Sequence, residues 1–278
     1  MTANAEIISI GDELLYGQTL DTNAHWISHK LDEYNIKVFQ RTTIGDDADQ
    51  ILNAFATAAE RVDIVLITGG LGPTKDDLTK PLLAKYFGVG MVHHEEVLRD
   101  ITLLFAKASR EVTALNAQQA ELPANCEKIT NPVGTAPGMW FYENNTVFVA
   151  MPGVPYEMKS IMTESILPKL HEMFSKGVLH HHIIKTIGIT ESSLSDLIED
   201  WEVNLPKHIK LAYLPTKGQV KLRLTGSGDD LNTLKQEIDA LQMAIMPKIA
   251  KYVYGFGADS LEGVIGQLLN KNNLTLVT

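Results

Sequence analysis

The segment Thr68-Gly69-Gly70-Leu71-Gly72-Pro73-Thr74-Lys75-Asp76-Asp77-Leu78-Thr79 sets three glycines directly behind an apolar run, Asp63–Ile67. Glycines permit tight turns and bring backbone N–H groups close to an anion, and a helix starting just after them adds the positive end of its dipole. Asp76 and Asp77 repel a phosphate unless a cation lies between. Loop and carboxylates together therefore point to a phosphate accompanied by a hard divalent ion such as Mg²⁺. A glycine-rich turn with a helix N-cap accounts for the same residues without any ligand, and taken alone the segment leaves the two readings level.

Three other segments carry acids in equivalent places. Gly11-Asp12-Glu13-Leu14-Leu15-Tyr16-Gly17 and Asp21-Thr22-Asn23 follow a first β-branched run, Glu6–Ile10. Asp46 and Asp47 follow a second run, Lys37–Ile44, and Met151-Pro152-Gly153-Val154-Pro155-Tyr156-Glu157-Met158 follows Thr146–Ala150 and opens a helix. Ligands of open α/β sheets bind at the carboxyl ends of strands. Four acid-bearing loops behind four strands converge on one sheet edge, whereas acids without a role scatter over helix faces.

The elements that position these loops follow from periodicity. Ile27, Leu31 and Tyr34 recur as one helix face, capped by Asp21 or Thr22; Ile51, Phe55 and Ala58 form another after the Gly45-Asp46-Asp47 turn. Asp77 or Thr79 caps a helix that carries Pro81 in its first turn. Asp63–Ile67 is continuously apolar, as a strand buried on both faces must be. Residues 94–122 read as helical with an Asn/Gln-rich middle, and Asn144-Asn145 turns a hairpin. The expected fold is a three-layer, doubly wound α/β domain with a mostly parallel sheet over 1–172. From His181 the order β-α-β-β-α-β describes a small α+β domain of the split βαβ type over 176–256. Residues 257–278 read as a helix and the start of a strand, Leu274–Val277, of a further, truncated domain or a linker.

At 278 residues the chain is comfortable for two domains. Its 45% hydrophobic and 21% charged residues exclude disordered and collagen-like classes. No apolar run reaches the ~18–20 residues of a membrane helix, and the N-terminus carries no secretory signal. The single cysteine, Cys126, reads as a buried inert thiol and fits a cytoplasmic location. Residues 1–170 hold 22 acidic against 13 basic side chains, so no nucleic-acid partner is expected. His180-His181-His182 reads as a solvated strand start, Trp26, Trp140 and Trp201 as core, and Gly226–Asp229 lacks the GxxG spacing of an RNA-binding loop.

The motifs GDELLxGxxxDTN, TGGLGPTxDDxT, NPVGTAPG (Asn131–Gly138) and PGVPxEM, in this order, resemble the CinA (competence/damage-inducible protein A) family. Its N-terminal domain is similar to the molybdopterin-binding MogA/MoaB proteins. The match covers about residues 5–170 in motif detail, and the second domain resembles the family's KH-like region by position and pattern. The resemblance implies an ADP-ribose pyrophosphatase in the first domain and a homodimer. It also implies a C-terminal nicotinamide-mononucleotide amidohydrolase domain, which is expected to be absent because the chain stops where that domain would begin. In the molybdopterin branch an Asp of the TGGTG…D motif takes part in the chemistry; Asp77 holds the matching position and Asp46 resembles a second acid. Leu71 stands where that branch has Thr.

The leading expectation is a metal-dependent hydrolase cleaving the pyrophosphate of ADP-ribose or a related nucleotide, with Mg²⁺, Mn²⁺ or Co²⁺ and no organic cofactor. Gly11, Asn23, Thr68, Gly69, Gly70, Gly72, Pro73, Thr74, Thr79, Pro152, Gly153 and Pro155 are the candidates for holding phosphates and nucleotide. Asp12, Glu13, Asp21, Asp76 and Asp77 are the candidate metal ligands. Asp46, Asp77 and Glu157 are the candidate catalytic groups, with Glu157 and Asp46 both open as general base. A pterin-phosphate protein of molybdenum-cofactor assembly is the alternative, and a non-catalytic nucleotide-sensing module is a third.

Overall fold

The computed structural model describes residues 3–107, 109–174 and 177–276. The chain divides into two compact units, Met1–Lys176 and Gly177–Thr278.

The first unit begins with β1 (Asn4–Ile10), α1 (Asp12–Leu15), α2 (Thr22–Glu33), β2 (Lys37–Ile44), α3 (Ala48–Ala59), β3 (Ile64–Thr68) and α4 (Thr79–Tyr86). Next come β4 (Met91–His93), α5 (Glu95–Lys107), α6 (Ala114–Ala117), a 3₁₀ turn (Gln118–Ala120), β5 (Glu121–Pro123) and β6 (Glu127–Ile129). β7 (Gly138–Glu143) and β8 (Thr146–Met151) lead into α7 (Pro155–Ile161), which continues through a π-turn, Met162–Ile166, into α8 (Leu167–Phe174). Six strands form one sheet in the order β2-β1-β3-β8-β7-β6. The first four run parallel and the last two antiparallel, joined by the hairpin at Asn144-Asn145. Both Asn residues adopt positive φ, 52° and 64°, as the two-residue turn requires.

Alternation along the strands divides the core between the two faces. Ile7, Leu66, Val147 and Val149 pack against Ala24, Ile27 and Leu31 of α2 and Met158 and Ile161 of α7. Ile8, Val65, Ile67 and Phe148 pack on the other side against Ile51, Phe55 and Ala58 of α3, Leu83 of α4 and Ile101 of α5. This is the three-layer, mostly parallel α/β arrangement expected. It places the loops after β1, β2, β3 and β8 along one edge.

The second unit holds β9 (Val178–Ile187), α9 (Glu191–Glu202), β10 (Ile209–Thr216), β11 (Gln219–Gly228), α10 (Leu231–Ile249), β12 (Val253–Phe256) and α11 (Leu261–Lys271). Its antiparallel sheet has the order β10-β11-β9-β12, and Ile184, Leu222, Leu194, Ile198, Ile245 and Ile249 close its core.

Several expectations are corrected. The helix read over 94–122 ends at Lys107; Thr113 and Asn116 form a capping box that starts a separate short helix, and β5 then pairs with β4. His180, His181 and His182 lie half-buried inside β9 rather than at a solvated strand start, because the ladder to β11 pairs them with Gly226, Thr225 and Leu224. Trp140 is buried, whereas Trp26 and Trp201 are half-buried, the latter donating from Nε1 to Leu241 O at 3.2 Å. Residues 274–276 form no strand, and the last residue of that expected strand, Val277, lies outside the described residues. Cys126 is half-buried, and burial pushes its thiol up to about 11, consistent with an inert group.

One buried charge was not legible in the sequence. Glu6 of β1 is fully buried, and its carboxylate accepts from Arg61 Nε and Nη2, both at 2.7 Å, and from Thr42 Oγ1 at 2.6 Å. The pair ties β1 to β2 and to the turn after α3. Arg61→Met leaves a buried carboxylate with one neutral donor, and we expect a loss of about 2–3 kcal/mol, kept at the low end because Arg61 itself reaches solvent. Urea unfolding of the variant measures it; an unchanged midpoint would show that the pair contributes nothing.

Candidate active site

The loops at the carboxyl edge of the large sheet enclose a cleft of about 570 Å³. Its lining comes from the segments after β1 (Gly11, Glu13, Asp21, Asn23), β2 (Asp46), β3 (Thr68–Pro73, Asp76, Asp77) and β8 (Pro152–Pro155, Glu157). Gln119, Thr135 and Ala136 complete the wall.

A chain of buried hydrogen bonds binds these loops together. Asn23 Nδ2 donates to Gly153 O at 2.7 Å and to Thr68 Oγ1 at 3.1 Å, and Thr68 Oγ1 donates in turn to Pro152 O at 3.2 Å. The glycine loop is closely fitted to its neighbours. Gly69 has φ 109°, and a Cβ there would lie 2.1 Å from Ile10 O. Its N–H donates to Met151 O. The N–H groups of Gly70 and Leu71 have no protein acceptor among the described residues, and both residues line the cleft.

Asp77 neither caps the following helix nor stands free. The N-cap of α4 is Leu78, with no side-chain cap bond. Asp77 Oδ1 instead accepts from Gly72 N–H at 2.8 Å, and Oδ2 from Thr74 N–H at 2.9 Å and from the Thr74 hydroxyl. The carboxylate is the clasp of its own loop, because a turn with successive inward N–H groups needs a local acceptor. Thr79, expected to contact phosphate, is buried and donates to Gly69 O at 2.8 Å. Thr74 and Thr79 are absent from the lining of the cleft.

The remaining acids separate by what holds them. Asp21 caps α2 through Ala24 N–H at 2.8 Å and accepts from Ser9 Oγ at 2.7 Å, so both its oxygens are engaged. Asp12 does not line the cleft; it and Asp46 exchange bonds, each carboxylate accepting the other's N–H at 3.1 and 3.3 Å. Asp46 is pushed above the usual carboxylate value by burial, and the nearby charges of Asp12, Glu13 and Asp76 push in the same direction, while the bond from Asp12 N–H opposes them. Glu13 and Asp76 also line the cleft, and hydrogen bonds from the Thr74 side chain and from its own backbone N–H hold the Asp76 carboxyl below the ordinary value. No three His, Cys, Asp or Glu side chains among the described residues form a group able to hold a metal ion.

Glu157 is buried in the first turn of α7. Burial pushes its carboxyl up from the ordinary 4.5, against the lowering effect of hydrogen bonds that include one from Asn131 Nδ2 to Oε2 at 2.7 Å. Asn131 also donates to Ala136 O and accepts from Val133 N–H, so the Asn131–Gly138 segment wraps around this one amide. Within it, a Cβ at Gly134 would lie 2.0 Å from Glu157 Oε2, so a side chain there would displace the Glu157 carboxylate.

Residues 6–172 match the family described as "Probable molybdopterin binding domain", and residues 181–255 match "Damage-inducible protein CinA KH domain". A CinA-like protein from Cytophaga hutchinsonii is 50% identical over 99% of this chain and 66% of its own length. The chain belongs to the CinA-like family. Another CinA-like protein, from Flavobacterium psychrophilum, is 45% identical with the same coverage, so the chain spans about 66% of the length of these curated relatives. The crystal structure of the protein CinA with unknown function from Thermoplasma acidophilum is 35% identical, with a TM-score of 0.55, and the match covers 60% of this chain and 98% of that one.

Within this CinA-like cleft, sequence reasoning assigned no role to Asn131, Gly134 or Gln119. The motif around Asn131 was visible as a resemblance, but its bond to Glu157 spans 26 residues. Gln119 offered no signal beyond a polar stretch. The clasp determines the expected outcome for Asp77→Asn. An amide N–H turned toward Gly72 or Thr74 cannot accept, so we expect a loss of about 1–2 kcal/mol and a Tm lower by a few degrees. A Tm equal to or above the parent's would restore Asp77 as a free ligand.

Proposed function

We propose that the first domain hydrolyses the pyrophosphate of ADP-ribose or a closely related nucleotide, giving AMP and ribose 5-phosphate, with a divalent cation. One observation carries the reading: the cleft is lined by six acidic residues, Glu13, Asp21, Asp46, Asp76, Asp77 and Glu157, and by no lysine or arginine. Two unpartnered loop amides invite an anion, yet its charge has no protein cation to meet. A pyrophosphate therefore fits only together with a metal ion. Mg²⁺ is commonly held by one or two carboxylates together with substrate phosphates. Asp46, with Asp76 or Glu13, would hold it, and it would supply neutralisation of the phosphoryl group under attack.

The chain's own residues account for the rest. Gly70 and Leu71 donate their N–H groups to phosphate oxygens, and the Asp77 clasp keeps that loop in shape. Glu157, held through Oε2 by Asn131, takes a proton from the attacking water with its carboxylate. Water oxygen bonds to one phosphorus as the bridging P–O bond breaks, and the displaced phosphate leaves on the other product. A carboxylate raised by burial is a stronger base than an ordinary one, as a general base requires. A pterin-phosphate ligand is the second reading, favoured by the family match over residues 6–172.

Incubating the chain with ADP-ribose and Mg²⁺, Mn²⁺ or Co²⁺ is expected to release AMP and ribose 5-phosphate in equal amounts, and EDTA to abolish release. Turnover that survives exhaustive chelation removes the metal from the scheme; tight pterin binding with no turnover selects the second reading. Because Glu157 must be ionised to act, activity is expected to rise with pH through a limb lying above 4.5. Glu157→Gln keeps the Asn131 bond and is expected to lower turnover by roughly 10²-fold or more and to erase that limb. An unchanged pH profile in the variant assigns the base elsewhere.

A further inference from the structure

Gln119 sits on the 3₁₀ turn between α6 and β5, is 2% exposed, and lines the same cleft as the glycine loop and Glu157. Its Oε1 is buried with no hydrogen-bond partner, and no described residue bonds to either end of its amide. The turn does not need that side chain. Gln118 O accepts from Lys80 Nζ at 3.2 Å, Ala120 O accepts from His94 N–H at 2.9 Å, and the capping box at Thr113 starts the preceding helix. A buried amide kept without partners is unfavourable for folding alone.

Asn23 supplies an independent second case. Its orientation is determined, because Nδ2 points at Gly153 O, which can only accept; its Oδ1 is then a buried acceptor without a donor. A pyrophosphate at neutral pH carries no N–H or O–H, so neither orphaned oxygen is a phosphate ligand. Both call for a part of the ligand that donates, a sugar hydroxyl or a base N–H.

We infer that Gln119 reads the base of the bound nucleotide, its amide pairing with the adjacent donor and acceptor of an adenine edge. A glutamine amide presents one N–H donor beside one C=O acceptor, the complement of the adenine N6 amino group and its neighbouring ring nitrogen. Asn23 Oδ1 accepts from a ribose hydroxyl in the same scheme. The inference rests on the nucleotide reading of the cleft and goes beyond it by naming the base and the residue that selects it.

The test compares the full chain with Gln119→Met, which keeps side-chain length and removes both hydrogen-bonding ends. Calorimetric titrations with AMP and with ribose 5-phosphate, in Mg²⁺, are paired with thermal unfolding. The variant is expected to bind AMP about tenfold more weakly, to bind ribose 5-phosphate within twofold of the parent, and to melt at the same temperature or higher. Independently of any variant, the parent chain is expected to bind purine riboside 5′-monophosphate, which lacks the 6-amino group, about tenfold more weakly than AMP. AMP affinity unchanged by the substitution overturns the inference while leaving ADP-ribose hydrolysis standing. Equal weakening of both ligands, or a lowered Tm, makes Gln119 a structural residue and also overturns it. A parent chain that neither binds AMP nor cleaves ADP-ribose refutes the nucleotide reading itself.

Discussion

The Asn23–Thr68 hydrogen-bond chain is the constraint on which the cleft depends. Loops spread over 130 residues of chain meet at it, two contributing side chains and the third two backbone carbonyls. Asn23 closes on Gly153 O while Thr68 closes on Pro152 O, so the direction of every bond is imposed by carbonyls at both ends. Buried networks of this kind hold only when nearly every member is satisfied. The single open valence, Asn23 Oδ1, lies in a residue that lines the cleft. Packing of α2 and α7 on one face of the sheet keeps the partners within reach.

Electrostatics then decides what the cleft accepts. Most active sites for phosphates meet negative charge with Lys or Arg; here the lining holds carboxylates and uncharged amides. Some of those carboxylates are structural. Asp21 caps a helix and Asp77 closes a turn, each using both oxygens. The others crowd one another, and burial together with like charge raises Asp46. Glu157 is raised chiefly by burial, on the far side of the glycine loop in sequence but within the same cleft. Two acids displaced upward chiefly by burial, one of them also by like charge, in one cavity, is a pattern characteristic of functional sites.

The second unit is organised by a different principle. Its core forms between one face of an antiparallel sheet and two helices, α9 and α10, each amphipathic enough to be read from spacing alone. The histidines of β9 are held by neighbours in that sheet: His181 Nδ1 lies 2.8 Å from Thr225 Oγ1, and the His182 ring packs near Phe256. Among the described residues they form no metal-holding group.

Much of this was written in the sequence. Apolar runs such as Ile64–Thr68 and helix faces such as Ile51, Phe55 and Ala58 have periodicities that only one type of element satisfies, and glycine-rich loops after strands declare their edge of the sheet. Some local chemistry was legible where partners are near in sequence, as at the Asp21 cap and the Asn144-Asn145 turn. The helix break after Lys107 was hidden because polar residues continued without a glycine or proline to mark it. What only tertiary structure decided is the work of each side chain: Asp77 as clasp rather than cap, Glu6 as a buried ion-pair partner, Asn131 as the holder of Glu157, Gln119 as an amide with nothing to bond. The physical reason is common to all four. Residue type limits what a group can donate or accept, but the energy of that group depends on burial and on which partners the fold brings within about 3 Å.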